Sequence, residues 1–164
     1  MRRAILLASL ALAVAALVPS SALPAAGGSD LPFKGSFSGT TVHNLVTGHL
    51  DGTSTGEFTH FGSSTLEQSV QVTATGTTSR SWSGTWTLTA ANGDQLSGTS
   101  VGSGSLTDPT HITFVLDYTA TGGTGRFADA SATFTITLYF HRIALVNGIS
   151  YGEHDATLDG QLSS

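Results

Sequence analysis

Three polar side chains occupy positions that strand alternation turns towards an apolar face: His60, Gln68 and Tyr118. His60 shares its parity with Phe58, Gln68 with Val70, and Tyr118 with Phe114 and Leu116. A polar group taken out of water without a partner costs roughly 1–3 kcal/mol, so each of the three needs a reason to be there. One reason is a hydrogen bond to a neighbouring strand. The other is to orient the polar end of a ligand, or to perform acid–base chemistry on it, which makes the three candidate catalytic residues. Glu57 and Glu67 could join them only if a strand bulge turned them inward, and Asp117 and Arg142 fall on the outside or at the rim. Arg126 and Asp129 flank a glycine-rich turn and read as a structural pair bracing it.

Other patterns carry less chemistry than they suggest. Gly98-Thr99-Ser100-Val101-Gly102 matches G-x-S-x-G, but no helix follows Ser100, and a nucleophile elbow needs a strand-to-helix turn. The run from Gly123 to Ala128 matches the dinucleotide fingerprint, yet it joins two strands and offers no helix N-terminus to a pyrophosphate. His43, His49, His60, His111, His141 and His154 show no zinc-ligand spacing and read as rim and surface histidines. No metal and no cofactor is expected.

The elements that must position these side chains are strands. Ile112, Phe114, Leu116 and Tyr118 alternate with polar residues over positions 111–119, with Val115 as the exception. Phe134, Ile136, Leu138 and Phe140 alternate with Thr133, Thr135 and Thr137 over 133–143. Between these runs lies Gly122-Gly123-Thr124-Gly125-Arg126-Phe127, whose glycines suit a tight corner. Further strands are expected over 33–43, 54–61, 66–74, 80–90, 95–103 (weakly patterned) and 149–162. Asn92-Gly93 and Asn147-Gly148 are hairpin signals, and Pro109 begins a turn. With no long crossover needed, the chain predicts an all-β fold: an eight-stranded antiparallel up-and-down β-barrel, with a two-sheet sandwich as the alternative. Its rings, Phe58, Trp82, Trp86, Phe114, Phe134, Tyr118 and Phe140, should point into one lumen and a Ser/Thr coat should face water. Each buried aromatic contributes roughly 1.5–3 kcal/mol.

The first 22 residues read as a signal peptide. Arg2 and Arg3 precede an apolar run too short to span a bilayer comfortably, and small residues follow, with cleavage near Ala22 or Ala26. Residues 23–32 are a flexible leader and 33–164 the barrel domain. The expected location is secreted and extracellular, with no stable membrane anchor after cleavage. The chain has no cysteine, so its core must stabilise it without disulfides. A formal charge of −5, more negative still once Arg2 and Arg3 are removed, lacks the basic stripe nucleic acid requires.

Three stretches carry a resemblance: Thr59-His60-Phe61-Gly62, the run from Thr87 to Asp94, and the run from Gly122 to Ala128. In order and spacing the chain, over positions 33–162, resembles small secreted bacterial proteins with the calycin-like barrel of allene oxide cyclases and plant dirigent proteins. Ser131-Ala132 departs from the small-Gly pair usual there. The resemblance implies an eight-stranded barrel with an apolar cavity and, from plant members, a homo-oligomer, a trimer. The plant cyclase's catalytic residues do not match position by position, and none is carried over.

The expected function is to hold a small apolar ligand or substrate in the lumen, with Phe58, Trp82, Trp86, Phe114, Phe134 and Phe140 as the binding surface. If it is an enzyme, the reaction is a cofactor-independent cyclisation or isomerisation driven by confining a flexible substrate. The alternative is a non-catalytic carrier or a structural protein of the cell envelope. An open lumen with His60, Gln68 or Tyr118 at its base would favour chemistry, and one filled by Trp82, Trp86 and Phe140 a scaffold.

Overall fold

The computed structural model describes residues 30–163. The expected signal peptide and most of the leader therefore lie outside the described residues. Eight strands follow one another: β1 (Leu31–Asn44), β2 (His49–Phe58), β3 (Gly62–Ala74), β4 (Ser79–Ala90), β5 (Gln95–Leu106), β6 (His111–Gly123), β7 (Ser131–Val146) and β8 (Ile149–Ser163). Each pairs antiparallel with the next, and β8 returns to β1 to close the barrel. This is the up-and-down barrel that the alternation predicts. The sandwich alternative is excluded because each of these eight strands is paired on both sides. β1 starts at Leu31, where it pairs with Leu162, slightly ahead of the expected strand.

Alternation does the sorting. Along β7 the residues Ala132, Phe134, Ile136, Leu138 and Phe140 are buried while the threonines between them face out. Large rings stand opposite glycine across the ladder: Trp82 faces Gly102, Trp86 faces Gly98, Phe114 faces Gly104 and Phe58 faces Gly35. A methyl group on Gly104 would overlap the Phe114 ring. The glycines that weaken the pattern of β5 are thus the spaces into which neighbouring rings fit. The outer coat is less uniformly hydroxylic than expected, since Val42, Val101, Val115, Tyr139 and Ile143 are exposed on it.

The two ends of the barrel differ. At one end lie both chain termini of the barrel and the β2–β3, β4–β5 and β6–β7 links. Here Gly125–Phe127 forms a short 3-10 turn rather than a simple hairpin corner, and it folds the buried Phe127 over the interior. Phe127 stacks on Phe61 with centroids 3.8 Å apart and planes 3° from parallel, and Phe61 packs in turn on Phe33 at 5.6 Å. The corner depends on Gly125, at φ +57°, because a side chain there would run into the Asp94 carboxylate. Arg126 pairs with that same carboxylate at 3.5 Å, so its partner is Asp94 and not the expected Asp129. Sequence order favoured the nearer acid, but the β4–β5 hairpin brings Asp94 against the turn. The opposite end carries the β1–β2, β3–β4, β5–β6 and β7–β8 turns, and none folds an aromatic ring inward.

Candidate ligand cavity at the open end

Under those four turns lies a cavity of about 250 Å³. Its walls are apolar: Leu50 of β2, Val72 of β3, Trp82 of β4, Phe114 of β6, and Leu138 and Phe140 of β7. Its polar members are Thr41 and His43 of β1, Gln68 of β3, Arg80 of β4 and Arg142 of β7. The same alternation that buries the rings brings them here. Thr41 and His43 continue the inward parity of Phe33 and Phe37, Arg80 that of Trp82, and Arg142 that of Phe140.

Two of these polar groups have buried atoms with no partner among the described residues, Thr41 Oγ1 and His43 Nε2. Thr41 is only 5 % exposed. Burial holds the His43 pKa below the usual histidine value, and the Arg142 and Arg80 guanidiniums lower it further, so the imidazole is neutral at neutral pH. Both arginines are anchored by neutral oxygens. Arg80 Nη1 donates to the Ser79 and Gly76 carbonyls at 2.7 and 3.2 Å, bracing the β3–β4 turn. Arg142 donates from Nε to Ser150 Oγ at 3.0 Å and from Nη1 to the Pro109 carbonyl at 3.1 Å. Neither forms an ion pair with a carboxylate among the described residues. Just past Arg142 the β7–β8 register slips by one residue. The exposed Ile143 is the extra one, and this bulge bends the strand while Arg142 keeps its inward aim.

The expected site residues divide. Gln68 lines the cavity, and Tyr118 donates its hydroxyl hydrogen to Gln68 Oε1 from below. Tyr118 is 1 % exposed, and burial raises its pKa well above the usual tyrosine value, so it stays a neutral donor. His60 is not part of this group. β2 ends at Phe58, and His60 lies in the turn beyond it with φ +69°, exposed, its Nε2 3.0 Å from the Pro32 carbonyl oxygen. The inward parity expected for it fails because alternation stops where the strand stops. Glu57, Glu67 and Asp117 are exposed on the outer face, and Asp117 accepts a hydrogen bond from Thr135.

The six expected binding rings divide too. Trp82, Phe114 and Phe140 line the cavity. Phe58, Trp86 and Phe134 instead pack in the closed half, where Phe134 stacks on Tyr118 at 5.2 Å and meets Trp86 edge-on at 5.3 Å. The single lumen expected for all six is half filled and half open, because rings at successive levels of one strand fill different heights of the barrel. Buried polar groups below the cavity are satisfied internally, except for His154 Nδ1, which has no partner among the described residues. Trp82 Nε1 donates to Ser100 Oγ at 2.9 Å, which makes Ser100 an acceptor in the core and not a nucleophile on a turn. Trp86 Nε1 donates to the Thr99 carbonyl at 3.0 Å. His154 Nε2 lies 2.7 Å from Ser54 Oγ, and burial lowers its pKa to about 4.

Sequence reasoning missed Thr41, His43 and Arg80 as cavity residues and set Arg142 at the rim without a role. The signal was present in their parity, which continues that of Phe37, Trp82 and Phe140. Chemically, the cavity joins apolar walls to one neutral imidazole, one hydroxyl, one amide and two guanidiniums. Among the described residues that line it there is no carboxylate. Compared with known family models, curated proteins and solved structures, the chain matches none of them.

Proposed function

We propose that this protein is a secreted barrel that holds one small, largely apolar molecule in its open-end cavity. The observation that carries the reading is an apolar chamber with unpartnered polar atoms, Thr41 Oγ1 and His43 Nε2, at its wall. Buried polar atoms elsewhere in the barrel are nearly all hydrogen-bonded, so orphaned ones facing a cavity are where a ligand's polar group gains most. The resemblance to the barrels of allene oxide cyclases and dirigent proteins supports the same reading, and with it a trimeric assembly.

A second reading is cofactor-independent isomerisation or cyclisation of the bound molecule. It is favoured by the neutral imidazole of His43, which can accept or donate a proton beside a confined substrate. A scaffold role draws support from the filled closed half but leaves the open half without a purpose.

Native mass spectrometry of the protein after incubation with extract of the producing culture tests the binding reading. One bound small molecule per chain is expected, and it should be absent in Ile112→Trp, since Ile112 lines the cavity and a larger ring there fills part of it. Repeated failure of the unaltered protein to retain any compound would sink the reading. Once a turnover assay exists, His43→Gln should abolish activity if the second reading holds.

A further inference from the structure

We infer that the open-end cavity takes a small amphiphile with a single anionic head, its tail against Leu50, Val72, Trp82 and Phe114 and its head at the mouth near Arg80 and Arg142. This deepens the binding reading above and rests on it.

Three observations meet here. The first is charge. The chain carries a formal charge of −5, yet both charged side chains lining this apolar chamber are arginines. Neither has a carboxylate partner among the described residues, whereas Lys34 and Arg126 do. A guanidinium has five donors, and the bonds to neutral oxygens occupy only part of each fork, fixing its aim while leaving its charge uncompensated. An anion arriving at the mouth would supply that compensation in a partly desolvated setting, where charge-assisted bonds are strongest.

The second observation is the pair of orphaned atoms. Thr41 Oγ1 and His43 Nε2 sit on the same wall and can bond to a head or to a polar group just below it. The third is size. About 250 Å³ holds roughly eight groups of water size at ~30 Å³ each, which suits a medium-length chain or a compact ring and not a long acyl tail held whole. A cationic head would meet two guanidiniums and is disfavoured. A neutral alcohol would gain the apolar contacts alone.

The test uses octanoate, 1-octanol and octyltrimethylammonium, equal in chain length and differing in head charge. Each is titrated into the protein at pH 8 and low salt, with calorimetry and the fluorescence of the cavity-wall Trp82 as readouts. Octanoate should bind at least tenfold more tightly than octanol, and the ammonium compound most weakly. In Arg80→Gln/Arg142→Gln, octanoate affinity should fall to that of octanol, and in Arg80→Lys/Arg142→Lys most of the preference should return. Added salt should narrow the margin. If octanol matches octanoate, if the ammonium compound binds best, or if the Gln variant keeps the preference, the anionic-head inference is overturned while the cavity reading stands. If none of the three binds, the cavity reading falls with it.

Discussion

The two ends of this barrel are built from the same eight strands by the same alternation, yet one is sealed and the other is hollow. At the sealed end the β6–β7 link folds Phe127 inward onto Phe61, and Phe33, Phe58, Phe134 and Trp86 fill the space beneath. At the hollow end the turns are short, the β1–β2 turn exposing Leu45 and Val46, and the inward positions pass to Thr41, His43, Arg80 and Arg142. Between them a belt of polar pairs, Tyr118 with Gln68, Trp82 with Ser100 and Ser54 with His154, joins strands across the interior. A closed barrel of eight strands can fill its lumen or keep part of it for a ligand, and this one does each at a different height. Among the described residues, two of the three buried polar side-chain atoms without a partner, Thr41 Oγ1 and His43 Nε2, lie at the hollow end, and the third, His154 Nδ1, lies in the belt.

Breaking the sealed end should have the largest effect. Phe61→Ala removes a ring covered by Phe127 and Phe33 and should cost about 3–5 kcal/mol in urea unfolding. Phe140→Ala should cost distinctly less, since that ring already borders empty space on one side. Equal losses would mean the two ends are packed alike.

The polar belt should reveal itself through pH. The folded state holds the His154 pKa at about 4, whereas an unfolded chain titrates near 6.5. Between those values only the unfolded chain takes up the proton, so stability should fall as pH drops through this window, by up to about 3 kcal/mol. His43 adds to the loss with the same sign, because its folded pKa is also lowered. His154→Gln should flatten most of the slope, and an unchanged slope would remove His154 as its source.

Tyr118→Phe should cost about 1–3 kcal/mol by leaving the Gln68 carbonyl buried without a donor. The double variant with Gln68→Leu should lose less than the two single changes together. The smallest effect belongs to the mouth. Arg142→Gln should raise the His43 pKa, and Arg80→Gln should raise it by less, read from the imidazole proton shifts as pH is varied. No movement in either would mean the guanidinium fields do not meet at the cavity.

Much of this was legible in the chain. Period-two runs and hairpin signals named the strands and their order, and parity correctly turned Gln68, Tyr118 and the large rings inward. It failed at His60 because the strand ended two residues earlier, and a positive φ there swings the side chain outward. Parity extends to His43, which reads as a rim or surface histidine from its spacing alone, and to Arg80, for which the sequence suggests no role, since the alternation runs unbroken through both. Arg126 was joined to the wrong acid because a turn's partner is chosen by the neighbouring hairpin and not by proximity in the chain.

By itself, then, the order of residues determined which side chains face in, since that follows from backbone geometry repeated every second position. It could not determine at what height each one lies, which inward groups meet across the barrel, or where filling stops. Those depend on strand stagger and on which turn folds back over the end. They were decided only when β8 closed against β1 and Phe127 came down on Phe61, leaving the opposite mouth open.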